Sequence, residues 1–226
     1  MIRAVVFDFD GVLADSELFH LQACQEVLSP LGVTLTREEY YANYLGYDDA
    51  QFFTRLGEAY GWNLDEQQLE ALIAEKGRVF DGWIESADVL YPEAPACVER
   101  LAAAFPLGIA SGALRHEIEA ILRRGGLATR FRFIVASGDT THTKPAPDPY
   151  RRAAELHGMP PADCVAIEDS RWGIESAKSA GLACIAITTS YGAAELRLAD
   201  RIIGSLEELT PALVQSVVTP ESPRKV

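Results

Sequence analysis

The chain has 226 residues, 48% of them hydrophobic and 23% charged, which suits one large globular domain or a core domain with a smaller companion. Its net charge of −13 argues against nucleic-acid binding, which depends on neutralising phosphates with Lys and Arg side chains. No apolar run reaches the roughly 18 residues of a membrane span, and the N-terminus lacks the pattern of a secretory signal. We therefore expect a cytoplasmic protein with no membrane partner.

The first predicted element is a buried strand in the opening segment MIRAVVFDFDGVLADSE, and it runs directly into Asp8 and Asp10. Two carboxylates this close repel each other, and each raises the pKa of the other unless a cation or hydrogen bonds compensate. Gly11, directly behind them, permits a tight turn. The pattern predicts that residues further along the chain supply the compensation.

The next segment, residues 15–88, contains no convincing strand. Its first apolar residues keep helical spacing until Gly32 ends the helix, and further helices are predicted at about 50–60 and 65–83. We interpret the segment as a small all-helical domain inserted after the first strand, with hinges near residues 14–16 and 86–91.

Beyond the insert, short apolar runs alternate with helical stretches. Strands are predicted at residues 107–110, 133–136, 164–167, 184–187 and 202–203. Helices are predicted at residues 93–105, 115–125, 149–157 and 172–180. Such alternation is typical of βαβ units around a mostly parallel sheet. The predicted fold class is therefore α/β, with a Rossmann-like core formed by residues 1–14 and 89–218 and a flexible tail at 219–226.

The candidate site residues are those that follow the predicted strands, because ligands bind beyond the carboxyl ends of parallel strands. After the later strands these residues are Ser111, Gly112, Lys144, Glu168 and Asp169. Together with Asp8 and Asp10 they give four carboxylates, one hydroxyl and one lysine at one edge of the sheet. Four acids cannot all remain ionised without a cation, and ligands that offer only oxygen suit Mg²⁺. The sequence predicts a magnesium site here.

Four segments of the chain, in this order and spacing, resemble the motifs of the haloacid dehalogenase (HAD) superfamily of phosphotransferases: DFDGVLADSE, ASG, the lysine of TKPAPDPY, and IEDSRWGIESAKSAG. The resemblance covers nearly the whole chain. The helical insert is similar to the cap of the subgroup that contains β-phosphoglucomutase and phosphoglycolate phosphatase. A lone DxD pair would be a weak signal, but four motifs in order, each after an apolar strand, are a specific one.

The resemblance implies a phosphoryl transfer through an aspartyl-phosphate. Asp8 would attack phosphorus as the nucleophile. Asp10 would protonate the leaving alcohol and then deprotonate the water that hydrolyses the intermediate. Lys144 and Ser111, with backbone N–H groups near Gly112, would bind the oxygens of the transferring phosphate.

The resemblance also implies the ligands of the metal. Asp8, Asp169 and the backbone carbonyl of Asp10 would hold Mg²⁺, and Glu168 would contact it directly or through water. Of the two acids in the fourth motif, Asp169 is the safer ligand. The predicted cofactor is therefore Mg²⁺.

Several of these residues also have ordinary structural interpretations. Ser111 could cap the helix that starts near residue 115, and Lys144 could be solvated, as most lysines are. Trp172 and Gly173 are interpreted as packing residues rather than as contacts of the site.

Other branches of the superfamily fit less well. Its dehalogenases need no metal and no acid two residues after the nucleophile, so Asp10 and the pair Glu168–Asp169 argue against that activity. The phosphonate-cleaving branch uses a cap lysine as a Schiff base, and Lys76 is not clearly that lysine. Aspartyl-phosphate signalling receivers share an acid cluster, but they are about half this length and have no helical insert.

The harder choice is between a phosphatase and a sugar-phosphate mutase. A mutase must hold a second phosphate at the cap, which the family does with an arginine shortly after a cap glycine. In the matching segment GYDDAQFF, Asp49 stands at that position beside Asp48, and two acids would repel a phosphate. His20 and Lys76 match cap positions that contact substrate in the family, although each could equally be an ordinary helix residue.

The expected function is a Mg²⁺-dependent phosphatase that acts on a small phosphorylated metabolite, such as a sugar, polyol or hydroxy-acid phosphate. The alternative is a mutase of the β-phosphoglucomutase type. We expect a monomer with no nucleic-acid partner.

Overall fold

The computed structural model describes residues 1–44, 47–84 and 87–217. The predicted tail at 219–226, Gly46 of the GYDDAQFF segment and part of the predicted second hinge lie outside the described residues. The backbone divides into two compact units. The core unit comprises Met1–Asp15 and Val89–Val226, and the cap unit comprises Ser16–Asp88.

The core unit is built on a parallel sheet. Its described strands are β1 Ala4–Phe7, β2 Leu107–Ala110, β3 Phe131–Val135, β4 Cys164–Glu168, β5 Ala183–Ile187 and β6 Arg201–Ile203. They lie in the order β3-β2-β1-β4-β5-β6, and each neighbouring pair is parallel. With the helices given below, this confirms the predicted α/β fold class.

The described helices, in chain order, are α1 Glu17–Leu28, α2 Arg37–Asn43, α3 Asp49–Tyr60, α4 Glu66–Ile84, α5 Ala94–Ala102, α6 Arg115–Arg124, α7 Asp148–His157, α8 Arg171–Ala180 and α9 Pro211–Ser216. Most begin and end within a few residues of the predicted bounds. The exceptions are α2 and α9, which the apolar spacing of the sequence did not predict. Among the described residues, none of the helices is both long and apolar enough to cross a membrane.

Strand β1 lies at the point where the strand order reverses. Val6 pairs with Gly108 of β2 on one side and with Ala166 of β4 on the other. Strands β2 and β3 lie on one side of β1, and β4, β5 and β6 lie on the other. In open α/β sheets, a crevice forms at such a reversal, beyond the carboxyl ends of the strands. Asp8 and Asp10 follow β1 directly at this point.

Strand β3 begins two residues before its predicted start. Phe131 and Arg132 belong to it, and the Arg132 side chain is exposed. Because β3 is at the edge of the sheet, a charged residue can point to solvent without breaking the pairing. The central strands β1, β2, β4 and β5 are buried at every position, as strands covered on both faces are expected to be.

The cap unit packs α1 and α3 against α4. Phe53 and Leu56 of α3 and Phe80 of α4 are almost fully buried in it. Helix α3 begins after Asp48, whose carboxylate accepts a hydrogen bond from the Gln51 N–H at 2.8 Å. Asp48 is therefore a helix N-cap.

The two ends of the insert are tied together within the core unit. The Asp15 N–H donates to the Val89 carbonyl at 2.8 Å, and the Tyr91 N–H donates to the Leu13 carbonyl at 3.0 Å. Ala14 and Leu90 form an antiparallel bridge between these bonds. The chain thus leaves the core unit and re-enters it through one short hydrogen-bonded ladder.

Candidate active site

Four of the predicted site residues meet beyond the ends of β1 and β4. The Lys144 ammonium lies 2.9 Å from Oδ1 of Asp8 and 2.6 Å from Oε1 of Glu168. Asp8, Glu168 and Asp169 each offer a carboxylate oxygen within 4.8 Å of the other two. All three acids are buried. The arrangement is a buried cluster with more negative than positive charge.

The Asp8 carboxylate is held at one oxygen. Its Oδ1 accepts from the Phe9 N–H at 2.8 Å and from Lys144. Burial, followed by the charge of Glu168, raises the pKa of Asp8 to about 7, although Lys144 acts in the opposite direction. Without a further cation, the cluster therefore does not hold all of its acids fully ionised at neutral pH.

Lys144 is the cation within this cluster, and only 13% of its side chain is exposed. Burial opposes its charge, but Asp8 and then Glu168 raise the pKa of Lys144 above its usual value. The ammonium also lies 5.0 Å from the centre of the Tyr150 ring. Lys144 is therefore a fixed, fully charged group, and the interpretation as a solvated lysine is wrong.

Glu168 is fully buried, and protein donors engage both of its oxygens. Oε1 accepts from Lys144 and from the Tyr150 hydroxyl, each at 2.6 Å. Oε2 accepts from the Asp169 N–H and the Ser170 hydroxyl, each at 3.2 Å. A Cβ at Gly173 would overlap the Glu168 carboxylate, so this glycine provides the space for it. Glu168 thus ties Lys144 to the turn after β4, which leaves Asp169 the better direct metal ligand.

Sequence reasoning missed Tyr150. It is fully buried in α7, and burial, then the charge of Glu168, raise the pKa of its hydroxyl well above the usual value. The hydroxyl therefore remains protonated and donates to Glu168. The signal was present in the quoted segment TKPAPDPY, where a tyrosine occupies a core position of a helix and needs a buried acceptor.

Asp169 lies against the turn that follows β1. Burial, then the charges of Asp8 and Glu168, raise the pKa of Asp169 well above its usual value. Gly11 has φ of +72°, and a Cβ there would overlap the Asp169 carboxylate. Only glycine satisfies both requirements. Asp10, just before it, is half-buried in the same turn.

Ser111 and Gly112 follow β2, whose Ile109 pairs with Phe7 of β1. Ser111 is buried, and its hydroxyl accepts from the Ala113 N–H at 3.0 Å. Helix α6 begins at Arg115 with Leu114 before it, so the interpretation of Ser111 as the N-cap is wrong. A Cβ at Gly112 would meet no described atom within 4 Å, so there is open space on that side of the residue.

The cap unit has a polar cluster of its own, formed by His20, Asp49 and Lys76. The Lys76 ammonium lies 2.9 Å and 3.0 Å from the two oxygens of Asp49 and 2.8 Å from Nδ1 of His20. Lys76 is only 2% exposed. The alternative interpretation of Lys76 as an ordinary solvated helix residue is therefore wrong.

His20 is a neutral partner of Lys76. Its ring stacks on Phe80 at 4.1 Å, and burial, then the Lys76 charge, lower the pKa of His20 well below its usual value. Because the ammonium can only donate, Nδ1 accepts the hydrogen bond and the ring proton resides on Nε2. The Asp49 carboxylate neutralises Lys76, so the cluster carries no net charge.

The core cluster suits a divalent metal. Asp8 and Asp169 supply carboxylate oxygens beside Glu168, and hard cations such as Mg²⁺ prefer oxygen ligands. One lysine does not balance three buried carboxylates, so a bound cation would relieve the remaining repulsion. The residues present therefore fit the metal that the sequence predicts.

Comparison with known proteins identifies the family. The model of the haloacid dehalogenase-like hydrolases matches residues 2–181. A phosphoglycolate phosphatase of Neisseria gonorrhoeae is 30% identical over 222 residues, which cover 92% of each chain. Protein SUPPRESSOR OF QUENCHING 1, chloroplastic, of Arabidopsis thaliana is 31% identical over 206 residues, which are 87% of this chain but only 19% of that protein.

A solved structure has the same fold. A CbbY mutant from Rhodobacter sphaeroides, crystallised in complex with xylulose 1,5-bisphosphate, superimposes with a TM-score of 0.83. It is 29% identical and covers 92% of this chain and 96% of its own. The chain belongs to the haloacid dehalogenase-like hydrolase family, which confirms the resemblance seen in its motifs.

Proposed function

We propose that this haloacid dehalogenase-like hydrolase is a Mg²⁺-dependent phosphatase, which cleaves a small phosphate monoester through an aspartyl-phosphate on Asp8. The observation that carries the proposal is the buried cluster in which Lys144 contacts Asp8 and Glu168 while Asp169 remains uncompensated. Transfer of a dianionic phosphoryl group needs a nucleophile and fixed positive charge at one place. The cluster supplies a carboxylate and a lysine, and its excess negative charge suits a metal cation.

Asp8 carries the covalent step. Lys144 and the Phe9 N–H occupy its Oδ1, so we assign the attack on phosphorus to Oδ2. As the new P–O bond forms, the ester P–O bond breaks, and Asp10 protonates the departing alkoxide. In the second half-reaction Asp10 takes a proton from water, which attacks phosphorus and returns Asp8 as a free carboxylate.

The phosphoryl oxygens would be bound by Lys144, the Ser111 hydroxyl and the backbone N–H at the open position Gly112. Asp8, Asp169 and the Asp10 carbonyl would hold Mg²⁺. When bound, the metal would offset the repulsion between these carboxylates and the phosphate. Glu168 would act on the other side of Lys144, where it keeps the ammonium in place through its bond at 2.6 Å.

The proposed substrate is a small sugar, polyol or hydroxy-acid phosphate. The relatives support this class, because one is a phosphoglycolate phosphatase and another was crystallised with xylulose 1,5-bisphosphate.

The contacts of Asp48 and Asp49 in the cap unit support hydrolysis over a mutase reaction, but for a different reason from the one the sequence suggested. The sequence predicted that Asp48 and Asp49 would repel a second phosphate. Asp48 instead caps α3, and Asp49 neutralises Lys76. The cluster around Asp49 thus offers a second phosphate no uncompensated positive charge, and no arginine stands at position 49 to bind a phosphate with two hydrogen bonds.

A panel of phosphorylated sugars, polyols and carboxylates tests the proposal by release of inorganic phosphate with Mg²⁺ and with EDTA. We expect release only with Mg²⁺. No release from any member, or equal release in EDTA, would overturn the metal-dependent phosphatase.

A separate incubation with β-glucose 1-phosphate and a trace of its 1,6-bisphosphate addresses the alternative. Formation of glucose 6-phosphate much faster than free phosphate would establish the mutase and refute the argument from Asp49.

A further inference from the structure

The loop after β5 contacts two of the functional segments, although it carries none of the predicted site residues. The Thr189 hydroxyl donates to the Gly11 carbonyl, in the turn after β1. The Ser190 hydroxyl bonds to Oδ2 of Asp169, after β4. Because β4 lies between β1 and β5, this loop reaches across the end of β4 to the turn beyond it.

These contacts form a closed ring with the site. A Cβ at Gly11 would overlap the Asp169 carboxylate and would lie 2.7 Å from the Ser190 hydroxyl oxygen. Gly11, Asp169 and Ser190 are thus mutually packed, and Thr189 closes the ring at the Gly11 carbonyl. The loop is itself anchored to β6, because the Thr188 N–H donates to the Ile203 carbonyl at 3.1 Å.

We propose that Ser190 is a positioning residue, which fixes the Asp169 carboxylate in the orientation that binds the metal. The hydroxyl donates to one carboxylate oxygen and thereby leaves the other as the ligand. A carboxylate is otherwise free to rotate about its terminal bond, and in this crowded cluster it would turn away from Asp8 and Glu168. Partners of this kind orient metal ligands in other proteins and affect metal affinity. The inference rests on the proposed function.

The contacts of Thr189 and Ser190 distinguish this loop from an ordinary loop rich in hydroxyl residues. Serine and threonine are common after strands, and most make only local bonds to the backbone. Here the hydroxyl of Ser190 meets a buried carboxylate 21 positions earlier in the chain, and that of Thr189 meets a carbonyl 178 positions earlier. The same rule that selected Asp8 and Asp169, namely reading the residues that follow each strand, would have selected this loop.

The test measures Mg²⁺ binding directly, with no substrate present. The metal-free protein is titrated with Mg²⁺ by calorimetry, and its melting temperature is recorded in EDTA and in millimolar Mg²⁺. We expect Ser190→Ala to weaken Mg²⁺ binding by about 10-fold or more, the usual effect of removing such a partner. Ser190→Thr keeps the hydroxyl, so its Mg²⁺ affinity should lie within about 3-fold of that of the unmodified protein, a smaller loss than for Ser190→Ala.

Ser216→Ala is the matched control. It removes a hydroxyl that also bonds at close range, to the Leu213 carbonyl at 2.6 Å, but in α9. Its Mg²⁺ affinity should equal that of the unmodified protein. Steady-state kinetics give a second readout, because Ser190→Ala should raise the Mg²⁺ concentration for half-maximal rate while leaving the KM for substrate nearly unchanged at saturating Mg²⁺.

The outcomes separate this inference from the proposed function. If the unmodified protein binds Mg²⁺ and Ser190→Ala binds it equally well, the positioning role is wrong and the phosphatase proposal stands. If the unmodified protein does not bind Mg²⁺, both are wrong. Should Ser190→Ala fail to fold, Ser190→Cys keeps the size with a poor donor, and unchanged Mg²⁺ affinity in it would equally overturn the role.

Discussion

Two lysines with little exposed surface, Lys144 in the core unit and Lys76 in the cap unit, have surroundings that differ in charge balance. In the core unit, Lys144 contacts two carboxylates and has a third, Asp169, beside it. In the cap unit, Lys76 contacts one carboxylate, Asp49, and a neutral imidazole. The core cluster is therefore negative overall, and the cap cluster is neutral.

The difference indicates which buried polar cluster needs a ligand. A balanced, hydrogen-bonded ion pair is complete within the protein, and breaking it mainly affects stability. An unbalanced one retains repulsion that the fold alone does not remove, and such clusters with shifted pKa values are frequent at functional sites. The charge imbalance around Lys144 therefore agrees with the proposed function, whereas the cluster around Lys76 is balanced within the protein.

The largest effect is expected from removing one negative charge of the core cluster at Asp8, the proposed nucleophile. Asp8→Asn keeps the size of the side chain but removes its nucleophilic oxygen, so turnover should fall on the order of 10³-fold or more. Because repulsion within the cluster also falls, the melting temperature should hold or rise. Near-normal phosphate release from the purified variant would contradict the role of Asp8.

Removal of the cation should increase the imbalance. Lys144→Met leaves Asp8, Glu168 and Asp169 without their positive partner, so in EDTA we expect a loss of about 3–5 kcal/mol in the free energy of unfolding. Mg²⁺ should raise the melting temperature of this variant more than that of the unmodified protein.

Lys178→Met is the matched control for this change. Lys178 pairs with Asp200 at 2.6 Å in the same unit but keeps 26% of its side chain exposed. Its loss leaves one partly exposed carboxylate, which still accepts from the Cys184 N–H at 2.8 Å, rather than three clustered acids. We therefore expect the free energy of unfolding to fall by about 1–2 kcal/mol, less than for Lys144→Met. Equal losses for the two lysines would show that charge balance does not distinguish them.

The balanced cluster offers the reverse test. Asp49→Asn leaves Lys76 buried without its counter-charge and should destabilise the cap unit. We expect about 2–3 kcal/mol, less than for Lys144→Met, because Asp49 is 27% exposed and water partly screens its charge. The double variant with Lys76→Met removes both charges and should recover most of this loss. A double variant less stable than Asp49→Asn would contradict the comparison.

Tryptophan fluorescence can assign this change to the cap unit. Trp62 and Trp83 lie in the cap unit, and Trp172 lies in the core unit, so a Trp172→Phe background reports urea unfolding of the cap alone. Glu75→Gln, which breaks an exposed pair with Arg78 in α4, is the control and should leave the transition unchanged.

The smallest predicted effect concerns a buried histidine of the core unit. His157 packs edge-to-face on Phe133 at 4.6 Å, and burial lowers its pKa to about 4 although the backbone of Val5 acts in the opposite direction. The unfolded chain binds this proton near pH 6.5, so stability is complete above that value and declines toward pH 4. Between pH 7 and pH 5 the loss should be about 2 kcal/mol.

Comparison with His157→Gln isolates the contribution of His157 to the pH dependence of the free energy of unfolding. Asp8, whose pKa is raised, has the opposite sign, because its protonation in the folded state adds stability as the pH falls from about 7. That contribution is common to both proteins and cancels in the difference. Urea denaturation in EDTA at pH 7 and pH 5 should show a smaller decline for the variant, and equal declines would disprove the assignment.

The fold was predictable where one interaction dominates. The fully buried strands β1, β2, β4 and β5 contain uninterrupted apolar runs, and those runs are their own signal. Helix α2 was missed because it is a short run of charged and tyrosine residues, stabilised by the Thr36 cap and by packing of Tyr40. Such local capping and tertiary contacts outweigh periodicity in short elements.

The sequence predicted which residues lie in the site better than it predicted which of them bond to one another. Strand ends identified Asp8, Lys144, Glu168 and Asp169, because parallel strands bring their carboxyl ends to one edge. The sequence did not reveal that Tyr150 and Ser190 each bond to one of these acids. Such bonds depend on side-chain packing between segments far apart in the chain, which composition and spacing do not encode.

The ladder at the ends of the insert has a consequence for how the protein can change. Because Leu13–Asp15 and Val89–Tyr91 are bonded to each other within the core unit, the core meets the whole of Ser16–Asp88 as a single closed loop. The entropy of closing a loop grows only with the logarithm of its length, about 0.6 kcal/mol for each doubling. An insert of different length or sequence could therefore be exchanged at this junction with little penalty to the core, which would keep the cluster of Asp8, Lys144, Glu168 and Asp169 unchanged.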